Sequence, residues 1–325
     1  MKSGCVRTFI AVLPCLLLLC AAQKPPSVLD PAQADADFAR QGEYVADIDT
    51  AAGKMKLGVQ VIALGDGKFH AVFYPGGLPG DGWDKARGRE EADGMPDDPL
   101  AFKTRSWGGR IGDNAMTITD AAGKELGKAA KVFRQSPTLG AKPPQGAIVL
   151  FDGTSGEEFK PGKMDGNLLT QGQTSVRKFQ SHTLHIEFLL PYEPKGRGQG
   201  RANSGVYLQG RYEVQILDSF GLAGRNNECG GIYSVADPLV NMCFPPLSWQ
   251  TFDIDFTAPQ FDADGKKTAN ARMTVRHNGV LVHDNVEIKG PTTAAPFKES
   301  PEPGPLYLQD HGHPVRFRNI WVVPK

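Results

Sequence analysis

Neither sign of charge is in excess: 36 Lys and Arg stand against 36 Asp and Glu over 325 residues, and no basic run stands out. The electrostatic footprint of a nucleic-acid binder is missing, which makes neutral polar ligands the better expectation. Long apolar runs are missing too, except from Phe9 to Ala22, and that stretch is short for a membrane span. Lys2 and Arg7 precede it and Ala22 ends it as a cleavage site, so residues 1–22 read as a signal peptide. Leu19 is bulky where a lipid-attachment motif before Cys20 wants a small residue, so cleavage is preferred to a lipid anchor. The expected location is periplasmic or secreted, without a stable membrane span.

Cysteine is scarce. Three of the five (Cys5, Cys15, Cys20) fall in the leading segment, leaving Cys229 and Cys243. In an exported chain these two are expected to form a disulfide, worth roughly 3 kcal/mol by loop entropy. No CxxC or nearby His completes a metal set with them. Helix-period segments are few as well, whereas 38 glycines and 25 prolines punctuate short alternating runs. That pattern predicts an all-β chain of strands joined by turns.

Residues 23–36 are Pro- and Ala-rich and read as an extended leader. A small, mostly β N-terminal domain is expected over 37–136, with strands near 42–48, 55–63, 68–74, 105–111, 115–119 and 131–134. The Gly-rich piece from Gly76 to Gly82 lacks the Lys-Ser/Thr of a phosphate loop and reads as structural. Three prolines make 137–146 a stiff linker. From 147 to 325, strands near 147–151, 182–190, 249–257, 306–309 and 315–322, and a hairpin at Asn278-Gly279, predict two packed antiparallel sheets. The acidic turn at Phe261–Lys266 resembles a calcium loop only superficially, because Lys266 occupies a ligand position.

The stretch N-S-G-V-Y-L-Q-G-R-Y-E-V-Q-I-L-D, residues 203–218, holds the first candidate site. Period-two alternation puts Glu213, Gln215 and Leu217 on one face and Tyr212, Val214 and Ile216 on the other. The apolar side belongs to the core, so the polar side is either a solvated face or the floor of a cleft. The second candidate is L-Q-D-H-G-H-P-V-R-F-R, residues 308–318. His311 and His313 suit acid–base work near neutral pH, and a His-x-His pair also suits a divalent metal if a carboxylate joins it. No cofactor is firmly implied; a divalent metal stays open.

These motifs have relatives. F-D-G-T near the start of the second block, N-S-G-V-Y-L-Q-G-R-Y-E-V-Q-I-L-D-S-F-G, G-G-I-Y, W-Q-T-F-D-I, R-H-N-G-V-L-V-H-D-N and G-P-L-Y-L-Q-D-H-G-H-P-V-R-F-R-N-I-W occur in that order. Together they resemble the 3-keto-disaccharide hydrolase family, formerly a domain of unknown function. The resemblance implies a concanavalin A-like jelly roll over 147–325, export from a bacterium, and hydrolysis of 3-keto-glycosides. A ketone at C3 acidifies the C2 proton, so deprotonation, elimination of the C1 substituent and addition of water give net hydrolysis. On this reading Glu213 and His311 share the acid and base roles. Gln215, Gln209, Tyr207, Asn203, Tyr233, Gln309 and Arg316 hold the carbohydrate, and Asp218 orients a partner. The rival readings are a non-catalytic carbohydrate-binding module and an ordinary two-carboxylate glycosidase. The latter wants a second acid four residues after Glu213, where Leu217 stands.

Overall fold

The computed structural model describes residue 1 and residues 27–51, 53–95, 97–112 and 115–325. The expected signal peptide lies almost wholly outside the described residues. No described helix is long and apolar enough to cross a membrane. Strands dominate, and the described helices are one short α-helix, Ala36–Arg40, and three 3-10 turns.

Eight antiparallel strands between Gly42 and Val132 form the first sheet, with Gly42–Thr50, Gly53–Gly65 and Lys68–Pro75 adjacent in register. Residues 57–63 are buried without interruption because both faces of this sheet are covered. On one face Leu57, Val59, Val61, Phe69, Ala71 and Phe73 make a core of their own. On the other, Ile62, Val72 and Tyr74 enter the core of the second block. Alternation along each strand therefore assigns neighbouring residues to two different cores.

The second block is a β-sandwich of the jelly-roll class. An eight-stranded sheet contains His182–Leu189, Trp249–Thr257, Ala271–His277, Val280–Ile288 and Arg316–Pro324. It faces a five-stranded sheet of Phe159–Lys160, Gln173–Phe179, Gly304–Leu308, Ser204–Leu208 and Tyr212–Ile216. Leu184, Ile186, Phe188, Phe252, Ile254 and Phe256 point inward from the larger sheet and meet Val206, Leu208, Val214 and Ile216 from the smaller.

Three expectations change here. The segment from Ser27 is not a free leader, since Val28 bridges the backbone of Tyr192 and Asp35 accepts the Tyr192 hydroxyl at 2.8 Å. Residues 137–146 do not simply span a gap. Thr138 Oγ1 donates to Asp253 at 2.7 Å, and Asn319 Nδ2 donates to the Ala141 carbonyl at 3.0 Å, which lays the segment over the larger sheet. Cys229 and Cys243 are free rather than bonded. Both are fully packed in the sandwich core, where a thiol serves as a small apolar filler, and Cys243 Sγ donates to the Leu217 and Phe244 carbonyls at 3.5 and 3.4 Å. Burial pushes the Cys243 thiol well above its usual range.

Because Ile62 belongs to the sandwich core while its strand neighbours belong to the other, the two blocks are expected to unfold together. Ile62→Ala should lower stability by about 2–5 kcal/mol and keep a single urea transition when tryptophan fluorescence and far-UV dichroism are followed in parallel. Two separated transitions in the parent would contradict a shared core.

Candidate active site

Strands β1 (Ser204–Leu208), β2 (Tyr212–Ile216) and β3 (Gly304–Leu308) are neighbours in the smaller sheet, in the order β3, β1, β2. Val206 lies opposite both Val214 and Leu308, and Tyr207 opposite both Glu213 and Tyr307. With the valines and leucines committed to the core, Tyr207, Glu213 and Gln215 occupy the opposite face. They do not face open water. The backbone of Gly230–Tyr233 pairs along the outer edge of β2, and Thr292 Oγ1 accepts the Glu213 N–H at 3.0 Å. Glu213 is left 2% exposed and Gln215 1%.

The cleft over this face is lined by Gln199, Asn203, Tyr207, Glu213, Gln215, Tyr233, Thr293, Ala294, Gln309 and His311. Its volume of about 70 Å³ is well below the roughly 300–1,000 Å³ of pockets that enclose a whole ligand, so in this form it admits only one edge of a sugar. Gln309 Nε2 donates to the Tyr207 hydroxyl at 3.1 Å, and that hydroxyl donates to Glu213 Oε2 at 2.7 Å. Burial pushes the Glu213 carboxyl from an ordinary 4.5 up to about 8, with the Tyr207 hydrogen bond pulling the other way. Burial and the adjacent Glu213 together push the Tyr207 hydroxyl up.

Gly205, opposite Gln215 on β1, makes this placement possible. A Cβ there would stand 2.1 Å from Glu213 Oε1, so the carboxyl lies directly against the glycine backbone. A second hydrogen-bond chain crosses the other end of the cleft. Gln215 Nε2 donates to Gln199 Oε1 at 3.0 Å, and Asn203 Nδ2 donates to the same oxygen at 3.1 Å and to the Gln199 carbonyl at 2.9 Å. With their nitrogens committed, Gln215 Oε1 and Asn203 Oδ1 are buried acceptors without partners among the described residues. Such acceptors suit hydroxyl donors from a ligand.

Seven of the expected residues thus meet in one cleft: Glu213, His311, Gln215, Tyr207, Asn203, Tyr233 and Gln309. Four do not. Gln209 turns back into the protein, donating to the Phe179 carbonyl at 3.0 Å and accepting from Arg211. Asp218 is buried against Arg201 at 2.6 Å. Arg316 pairs with Asp165 on the outside of the sandwich at 2.8 Å. His313 is buried with its Nδ1 2.6 Å from Glu193 Oε2, so it is not turned to the cleft beside His311.

That Glu193 carboxylate also accepts the Ala202 N–H at 2.8 Å and the Ser27 hydroxyl. It therefore clamps the segment preceding Asn203 to the loop that carries His311. Among the described residues, no group of three or more His, Cys, Asp and Glu is placed to hold a metal ion. Gln199, Thr293 and Ala294 are the cleft members not expected from the sequence. Their signal was slight: a polar side chain inside R-G-Q-G-R and a T-T-A-A run between prolines.

Residues 146–323 match the model of the 3-keto-alpha-glucoside-1,2-lyase-like domain. Two solved structures from Parabacteroides distasonis ATCC 8503, each described as a "putative glycosyl hydrolase", are similar to the chain. One is 34% identical, over 56% of this chain and 85% of that one, with a TM-score of 0.52. The other is 17% identical, over 56% of this chain and 94% of that one, with a TM-score of 0.39. Comparison with curated proteins gives no match.

The raised carboxyl carries a pH signature. Glu213 binds its proton more tightly folded (about 8) than unfolded (4.5), so its contribution to stability is complete below 4.5 and is lost as pH rises through 8. Glu213→Gln should flatten the fall in stability between pH 5 and 8.5, read from urea midpoints at the two pH values. An unchanged slope would mean that Glu213 does not titrate in this window.

Proposed function

The chain belongs to the 3-keto-alpha-glucoside-1,2-lyase-like family, and from that membership we propose that it cleaves the glycosidic bond of 3-keto-glycosides by elimination across C1 and C2. The observation that carries this reading is that Glu213 is the sole carboxylate among the described residues lining the cleft. Ordinary glycoside hydrolysis employs two carboxylates about 5–9.5 Å apart flanking the bond. Asp218, the nearest candidate in sequence, is neutralised by Arg201 instead. A lone carboxylate made more basic by burial suits removal of a proton from carbon.

In the proposed reaction ionised Glu213 takes the C2 proton, and the C–H electron pair forms an enolate with its charge on the C3 oxygen. The second N–H of Gln309 Nε2, whose other N–H donates to Tyr207, is the donor for that oxygen. The enolate collapses to restore C3=O and form C1=C2, and the C1–O bond breaks as His311 protonates the leaving oxygen. Water then adds, hydroxyl to C1 and hydrogen to C2, completing net hydrolysis. Gln215 Oε1 and Asn203 Oδ1 accept hydroxyls of the sugar. Export to the periplasm or beyond fits a substrate of this kind.

The test is a 3-keto-disaccharide incubated beside its unoxidised parent sugar. Cleavage of the keto form alone is expected, with a bell-shaped pH dependence of kcat/KM, because ionised Glu213 and protonated His311 must be present together, and with one limb set by Glu213 near 8. Glu213→Gln and His311→Ala should each lower kcat by about 10²–10⁴-fold. Equal cleavage of the unoxidised sugar, or full activity in a folded Glu213→Gln variant, rules the mechanism out.

Gly205→Ala offers a separate check on the placement of the carboxyl, since the added methyl must displace Glu213. It should lower kcat by at least tenfold and shift the limb of the pH profile set by Glu213, while leaving far-UV dichroism intact.

A further inference from the structure

A second cavity, of about 250 Å³, lies where the N-terminal sheet meets the sandwich. Its walls are apolar: Ile62 and Leu64 from one side, Phe220 and Leu222 from the other. Two guanidinium groups, Arg197 and Arg201, also line it. Arg201 is 5% exposed; its Nε donates to Asp218, its Nη1 to the Ala63 and Pro194 carbonyls, and its Nη2, itself buried, has no partner among the described residues. Among the described residues, Arg197 donates only to the carbonyls of Pro194, Gly196 and Leu64. Partial desolvation and the neighbouring Arg201 charge hold Arg197, an exposed residue, below the usual guanidinium range.

One carboxylate, Asp218, thus lines the cavity together with two arginines, and it is paired with Arg201. The other acid at the cavity, Asp93, is largely exposed and turned to His70 at 2.8 Å. A buried cation with one donor unpartnered, a second, exposed arginine without an ion-pair partner among the described residues and an apolar wall together describe a receptor for an anion with an apolar body. Sugars are poorly matched, because the walls offer few polar groups to their hydroxyls. The volume limits the ligand to about one ring or a short branched chain, since it falls just below the roughly 300–1,000 Å³ of drug-sized pockets.

We propose that this cavity binds a small apolar monocarboxylate, with its carboxylate on Arg201 and Arg197 and its apolar part against Ile62, Leu64 and Phe220. Occupancy would be felt in the catalytic cleft. Arg197 and Arg201 bracket the Gly198–Gly200 turn, and Gln199 in that turn is the residue to which Gln215 and Asn203 donate. The N-terminal sheet, which contributes no side chain to the cleft, thereby gains a binding role of its own.

The probe is benzoate, with benzyl alcohol as its uncharged counterpart, titrated into the full chain by calorimetry. Benzoate is expected to bind at least tenfold more tightly than benzyl alcohol. Arg197→Gln, a change at an exposed position, should erase that preference while leaving binding of the alcohol unchanged, and Leu222→Trp at the mouth should weaken both by filling the space. Absence of binding at millimolar benzoate, equal affinity for the two probes, or an unaltered preference in Arg197→Gln overturns the proposal. Binding is read without turnover, so the outcome is independent of whether 3-keto-glycosides are the substrate.

Discussion

Glu213 is held almost completely out of water on an edge strand, with one hydroxyl donating to it and a glycine backbone pressed against it. Removing a carboxyl from water is costly unless it is neutral or well partnered, and here the cost appears as a raised proton affinity. The rest of the cleft is shaped by that placement. Tyr207 must sit directly across on β1, Gly205 must lack a side chain, and the edge of β2 must be sealed by Gly230–Tyr233 and Thr292. The same burial that costs stability as the pH rises supplies a base stronger than an exposed glutamate.

The cleft is held together from behind by charges that do not enter it. Glu193 gathers Ala202, His313 and Ser27, so one carboxylate sets the spacing between the Asn203 wall and the His311 wall. Arg201 and Asp218 do the same beneath the Gln199 turn, where the first sheet packs against the sandwich. The N-terminal block thus supports the cleft from outside: its strands share a core with the sandwich through Ile62, Val72 and Tyr74.

Misassigned residues have a common cause. Gln209, Asp218, Arg316 and His313 were chosen because they lie within motifs that also contain site residues. In a strand, neighbours in sequence point to opposite faces, and in a loop direction depends on backbone turns that sequence does not display. Gln209 stands at a turn with φ of 54°, and His313 is one glycine beyond His311. Cys229 and Cys243 are likewise two thiols brought into one core without a bond between them. Gln199 and Thr293 went unseen for the converse reason, since each reaches the cleft from a loop with no periodicity to read.

By itself the sequence determined the all-β class, most strand positions, the Asn278-Gly279 hairpin and the polar face bearing Glu213, Gln215 and Tyr207. These follow from local rules, namely period-two alternation and turn chemistry, that act within a few residues. Only the tertiary structure decided that this face is roofed rather than solvated, that His311 joins it, and that Asp218 and His313 serve as supports. Those outcomes depend on which distant segments cover each strand. Burial, which raises the proton affinity of Glu213, is a property of that packing and has no signature in the order of residues.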